Sequence, residues 1–517
     1  MQEIGRRAFL AGASVLVAGL AVGCGTSDND GGAAATTTGD SEPLTFDPNT
    51  FTEQTTTITT AAGDKQVTYR FYGPITYVVD ADYQSLVVSV PTAIDGVQVD
   101  AGNAPIVFAN SVGGYMPASV QDATGVGGSG MMGGGGMPSG MPGMPGGEVQ
   151  SGGNAMLDAA GGMVSLPKLA LATGYVVVEP GCRGRTLTDA QGVNYGTAPA
   201  AIVDLKAAVR YVRANAGRIP GDTDHIVSTG TSAGGALSAL LGASAESAGY
   251  DGYLDELGAA DASDSIFAVG AWCPITDLEH ADGAYEWNWG TNPTQTGTVD
   301  ATVSAELADQ FAANQADLDL DGLDDFGELS ADNYGEYLIR TYLQPSATSY
   351  LAALAEADRT AYLVANPFIT WSDGAATFIW TDYLDHVGAR KKSIPAFDAF
   401  DLSSGENNLF GTGTTAARHF TDYSAQHTNT TLGADIPELR DLMNPMPFLA
   451  DANPARATKW WIRLGTKDTD TALTVSANLA AAAAGLGDDV DHLMYWDEGH
   501  GANADADDFI AWIASIT

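Results

Sequence analysis

A doubly wound, mostly parallel α/β sheet interrupted by a large insertion is the fold class that three features of the sequence predict. Residues 105–110 (PIVFAN) and 174–179 (GYVVVE) are short apolar runs of the kind buried on both faces of a parallel sheet. Between 199 and 217, Ala, Leu, Val and Tyr recur at helical spacing, and 226–229 (IVST) is extended again, which is a βαβ rhythm. The rhythm fades near 273 and returns after 444, with strand-like 459–464, helical 471–484, strand-like 491–496 and an amphipathic helix over 505–516.

In chain order, Arg6 and Arg7 precede a small apolar stretch, 8–23, which ends in Ala-Val-Gly-Cys24. This pattern reads as a bacterial export signal closed by a lipobox, with Cys24 as the acylated residue, and is too short to span a bilayer. Gly5 to Leu10 also resemble a twin-arginine signal. Residues 1–24 are therefore expected to be removed or lipidated, and 25–43, rich in Thr, Gly, Ser and Asp, to tether the folded part to the outer face of the cell membrane. Alternating 67–79 and 85–90 predict an antiparallel start to the sheet. The core is assigned to 44–272 and 445–517, with 273–444 inserted as a lid. Within the first part, 125–153 is almost entirely Gly, Met, Pro and Ser and lacks the surface to fix its backbone, so a structureless insertion is expected.

With 64 acidic against 22 basic residues the chain carries a formal charge of −42, which repels phosphate backbones and argues against nucleic acid as a partner. Membrane attachment is expected through the N-terminal lipid anchor only.

Gly230-Thr231-Ser232-Ala233-Gly234 fits G-x-S-x-G, and its setting sharpens the match. A strand runs into an Ala- and Leu-rich helix, the bend that exposes a nucleophilic serine in α/β-hydrolases. A serine hydroxyl needs a histidine to take its proton. Of seven histidines, His225 and His492 should stand at the amino ends of strands, and His280, His386, His419 and His427 fall in the insertion. His500 alone follows a C-terminal strand at its carboxyl end, where such sites form. Asp468 comes first after the preceding strand and completes the order Ser, acid, His, with Asp470 left free. The oxyanion donors expected are the backbone N–H of Ala233 and that of Gly113 or Gly114, in a glycine-bearing loop after the strand 106–110.

These residues together resemble the bacterial tannases, from about residue 65 to the end. The resemblance rests on 230–235, Pro274-Ile275-Thr276-Asp277-Leu278-Glu279-His280, Asp398-Ala399-Phe400-Asp401, and Asp468 with His500, 32 residues apart. It implies a triad of Ser232, Asp468 and His500, and a galloyl ring held through its phenolic hydroxyls by Lys392, Glu406 and Asp470. Chemistry is compatible with that implication: an ammonium donates to phenolic oxygens and carboxylates accept their protons. Lys391 adjoins Lys392, which leaves the register open by one residue. The neighbouring disulfide of fungal tannases is excluded, because Thr231 and Gly501 occupy its places. In the hydrolase sheet order Cys182 and Cys273 lie three strands apart, on the order of 14 Å, so two free buried thiols are expected.

Residues 317–328 (DLDLDGLDDFGE) fit a calcium loop with Asp317, Asp319, Asp321 and Glu328 as ligands and a glycine at the sharp turn. Such an ion would be structural, since serine chemistry requires no cofactor. The function expected is hydrolysis of galloyl esters through an acyl-enzyme. Alternatives are a feruloyl or general carboxylesterase, a prolyl-type peptidase, and a non-catalytic lipoprotein that binds a phenolic.

Overall fold

The computed structural model describes residues 45–120, 126, 156–158, 162–294 and 299–517. The segments expected to be an export signal ending at Cys24 and a tether, and all of the Gly/Met insertion except Val126, lie outside the described residues.

Ten strands build the main sheet: β1 (Thr52–Thr60), β2 (Gly63–Thr76), β3 (Ser85–Ile94), β4 (Val97–Gln98), β5 (Pro105–Ala109), β6 (Val176–Pro180), β7 (Asp222–Thr231), β8 (Ala268–Trp272), β9 (Lys459–Gly465) and β10 (Asp489–Tyr495). Their order is β1-β2-β3-β6-β5-β7-β8-β9-β10, with β4 paired to β3. The first three strands and the β3–β6 pair are antiparallel, as alternation in the sequence predicts, and from β6 to β10 every pair is parallel. Central strands are apolar on both faces: Ile106 to Ala109 and Val176 to Val178 are fully buried. The Thr-rich β1 closes one edge, where only Ile58 is buried.

The chain passes from β5 to β6 on one side and returns to β7 on the other. The loops after β5 and β7 therefore diverge from neighbouring carboxyl ends, a switch point of the type where α/β sheets bind ligands. Helix Ala233–Ala243, which follows β7, is buried along its whole length. A Cβ on its Gly242 would lie 2.3 Å from Val269 Cγ2 of β8, so only glycine permits that closeness.

The insertion between β8 and β9 is mostly helical, and the described chain from 45 onward belongs with it to one compact unit. Aromatic side chains fasten it to the loop after β9, each burying a ring while its polar tip finds a carbonyl. Tyr285 Oη donates to Thr469 O at 2.7 Å, Trp289 Nε1 to Thr471 O at 2.7 Å, and Tyr383 to Thr466 O. No helix among the described residues is long and apolar enough to cross a membrane.

The acidic stretch 317–328 contains a short hairpin. Asp321–Gly322 pairs antiparallel with Gly327–Glu328, and Phe326 N donates to Leu323 O. Asp324 and Asp325, both at φ 56°, make the turn. Two positive-φ residues at the centre of the four-residue turn 323–326 give it type I′ character. Gly322 is not the hinge: its backbone is not left-handed, and it faces Tyr337 and Leu329. Asp317, Asp319, Asp321 and Glu328 are accordingly not gathered around a common point; among the described residues the metal-sized group is Cys273, Asp468 and His500.

Candidate active site

Ser232 stands at the junction of β7 and helix Ala233–Ala243 with φ 60° and ψ −123°, a conformation that costs on the order of 1–3 kcal/mol and persists only where the surroundings impose it. The surroundings do so. Ser232 N donates to Trp272 O at the end of β8. A Cβ on Gly230 would come within 2.3 Å of Gly234 O, and one on Gly234 within 2.7 Å of Val112 O, so the crowded bend needs glycine on both sides. Buried Asn110 locks the assembly, its Nδ2 donating at 3.0 Å each to Thr229 O, Gly234 O and Ser238 Oγ.

The loop beyond β5 is fixed as well. Met116 N donates to Gly113 O, and Gly114 and Tyr115 are both left-handed, at φ 53° and 56°. Ala233 N lies in the first turn of its helix, where backbone N–H groups have no partner within the helix and can receive an anion.

His500 follows β10, and its Nδ1 lies 2.8 Å from Asp468 Oδ2. Asp468 is fully buried after β9, and its other oxygen accepts Asp470 N at 2.9 Å. The two loops are zipped together: Lys467 N donates to Glu498 O, and Asp497 N to Thr466 Oγ1. Burial pushes the His500 imidazole down, and Asp468 with Cys273 outweighs it, so its pKa stands well above the ordinary value. His500 Nε2 points toward the carboxyl end of β8, 3.9 Å from Cys273 Sγ. Ser232 and Cys273 follow the paired residues Thr231 and Trp272 of adjacent strands, so Nε2 is held one strand from the nucleophile. A direct Ser232–His500 hydrogen bond is not among those formed by the described residues. Such bonds are often long before substrate binds.

The expected free thiols are confirmed: Cys182 and Cys273 are buried and unbridged. Sequence reasoning placed Cys273 three strands from Cys182 but did not foresee its contact with His500. Among the rejected histidines, His225 pairs with Asp222 at the start of β7, far along the strand from Ser232. His492 lies inside β10, opposite Ile462, rather than at its entry. His386 was dismissed with the lid, yet its Nε2 lies 2.6 Å from Asp497 Oδ1, three residues before His500. Lys467 Nζ reaches the same carboxylate at 3.0 Å, and Tyr362 donates to its other oxygen.

Of the residues expected to hold a ring, Asp470 pairs with Lys391 Nζ at 3.1 Å, not with Lys392. Lys392 N donates to Tyr285 Oη, while its Nζ lies over the Phe397 ring, 3.6 Å from the centroid. Burial raises the Asp470 pKa, and the charges of His500, Lys391 and Lys392 together bring it below the ordinary carboxylate value. Glu406 begins the short helix Gly405–Leu409, capped by Ser404 Oγ, and its charge acts on Tyr115 and Arg185. That helix is pinned by Asn407 Nδ2, which donates to the buried Asp398 at 2.7 Å. Asp398 also accepts from His419 Nδ1, Thr421 Oγ1 and the Phe420 and Thr421 amides.

A strained serine at a strand–helix bend, beside a histidine bonded to a buried aspartate at the carboxyl edge of a mostly parallel sheet, defines an α/β-hydrolase. A family model described as BD-FAE matches residues 153–315. Among solved structures, a Fusobacterium nucleatum tannase is 34% identical with a TM-score of 0.73, over 92% of this chain and 99% of that one. A tannin acyl hydrolase in complex with ethyl gallate is 33% identical at TM-score 0.75, and the native tannin acyl hydrolase from Lactobacillus plantarum 34% identical at 0.74; each covers 92% of this chain and 98% of its own. Comparison with curated proteins found no match. At this identity and coverage the chain belongs to the tannase family, hydrolases of the carboxylesterase type.

Proposed function

We propose that the protein hydrolyses galloyl esters through a Ser232 acyl-enzyme. The observation that carries this reading is His500, oriented by buried Asp468 and held at the edge where Ser232 is strained. Ser232 Oγ attacks the ester carbonyl carbon while His500 Nε2 takes the hydroxyl proton. The oxyanion settles on the N–H groups of Ala233 and of Gly113 or Gly114. As the carbonyl re-forms, the alkoxide leaves with the proton from His500; a water, deprotonated in turn by His500, then adds to the acyl carbon, the carbon–Oγ bond breaks, Ser232 Oγ recovers the proton from His500, and gallate is released. Lys392, Glu406 and Asp470 hold the ring hydroxyls. Relatives in the family have been solved with ethyl gallate and with 3,4-dihydroxybenzoate, which supports a phenolic acyl group. Attachment of the exported enzyme through lipidated Cys24 belongs to the same proposal.

Turnover of methyl gallate against methyl benzoate tests the substrate class. A site that hydrogen-bonds hydroxyls rejects an analogue lacking them by about 10⁴–10⁵. Equal rates would leave a general carboxylesterase.

A further inference from the structure

The loop expected to supply an oxyanion donor and the helix carrying Glu406 belong to different parts of the chain, one to the sheet and one to the insertion. A single side chain joins them. Arg185 Nε donates to Gly114 O at 2.7 Å, and its Nη1 donates to Asn408 Oδ1 at 3.0 Å. Arg185 N also donates to Tyr115 O. The guanidinium lies against Gly405, where a Cβ would stand 2.9 Å from Cζ and from Nη2, so residue 405 must lack a side chain for the fork to fit. Asn408 is held from its other end, its Nδ2 donating to Ala416 O.

Peptide planarity turns these contacts into a constraint on the amides. The Met116 bond to Gly113 O orients the Gly114 N–H, and the Arg185 bond to Gly114 O fixes the next peptide plane, that of the Tyr115 N–H, so Arg185 acts on the expected Gly114 donor by anchoring the plane that adjoins it. On the other arm, fixing Asn408 fixes the turn that starts two residues earlier with Glu406. Glu406 in turn acts on Arg185 electrostatically, opposing the loss of basicity that burial imposes on the guanidinium.

We infer that Arg185 is a positioning residue that couples acyl-ring recognition to oxyanion stabilisation, by holding the Gly114 peptide and the Glu406 helix in one register. The inference rests on the galloyl reading for its ring half alone. Lysine cannot replace it, since one ammonium does not reproduce two donors in a fixed fork.

The test compares wild type, Arg185→Ala and Arg185→Lys on methyl gallate and methyl benzoate, with thermal unfolding as the control for folding. Arg185→Ala should lower kcat on both esters by about 10²-fold, the scale for losing one oxyanion donor. It should also narrow the preference for gallate by at least about tenfold, because Glu406 loses its register. Arg185→Lys should keep the melting temperature and recover only part of kcat. Millimolar guanidinium should restore kcat to Arg185→Ala, which a merely structural defect would not allow. A folded Arg185→Ala or Arg185→Lys enzyme with wild-type kcat and wild-type preference would overturn the inference, as would a loss confined to melting temperature. The galloyl reading fails separately, if wild type itself shows no preference, and the benzoate arm still decides whether Arg185 governs kcat.

Discussion

Asp468→Asn is the substitution whose outcome the geometry fixes most tightly. The two carboxylate oxygens have different work: Oδ2 faces His500 Nδ1 at 2.8 Å, and Oδ1 accepts the Asp470 amide at 2.9 Å. An asparagine must keep its only carbonyl oxygen for that amide, because a donor cannot face a donor. Its NH₂ group then turns to His500 Nδ1, which becomes an acceptor, and the ring proton moves to Nε2. A histidine in that tautomer cannot take the serine proton, and the loss expected is about 10⁴ in kcat, or about 5.5 kcal/mol of barrier. The pH dependence should change with it. His500 works as the neutral base, so kcat/KM rises as pH climbs through its pKa, and Asp468 sets that pKa above the ordinary value of about 6.5. With the carboxylate gone, burial is opposed by Cys273 without the help of Asp468, and the rising limb should move to lower pH. Stopped assays of methyl gallate hydrolysis from roughly pH 4 to 9 measure both effects. A folded variant within tenfold of wild type, with its acid limb unmoved, would refute the assignment of Asp468.

Lys392→Met should raise KM for methyl gallate by tenfold or more, about 1.4 kcal/mol, whereas Lys391→Met should mainly shift the Asp470 titration upward; equal effects would show that the ring is read from the Lys391 side. His492 is buried beside Arg463, which with burial depresses its pKa to about 3. The unfolded chain therefore binds this proton first, so stability is lost as pH falls from about 6.5 toward 3, by up to about 1.4 kcal/mol per unit. His492→Asn should flatten that slope in denaturant titrations, and an unchanged slope would mean other groups carry it. Because the hairpin at Asp321–Glu328 does not gather its carboxylates, millimolar calcium or a chelator should leave the melting temperature unmoved; a rise of several degrees with calcium would mean that the hairpin rearranges around the ion.

Much of the site was legible because its signals are local. A strand, a glycine-flanked serine and an alanine-rich helix are contiguous in the sequence, and the acid and histidine follow successive strands, so parallel topology alone brings them to one edge. In the acidic stretch 317–328 the turn lies elsewhere than the calcium-loop pattern places it, on Asp324 and Asp325 rather than on Gly322. Long-range contacts were beyond reach for a different reason. Nothing in the neighbourhood of His386 announces Asp497, 111 residues away, or ties Arg185 to Asn408, 223 residues away. The choice between Lys391 and Lys392 depends on the direction of one backbone turn, where Lys392 N donates to Tyr285 Oη across 107 residues, a contact no local pattern announces.

The most direct measurement is a crystal structure of the Ser232→Ala protein soaked with ethyl gallate. The expected density places the ester carbonyl against the amides of Ala233 and the Gly113–Gly114 loop, and the ring hydroxyls on Lys392, Glu406 and Asp470. A gallate bound elsewhere, or one with its ester remote from His500, would contradict the account.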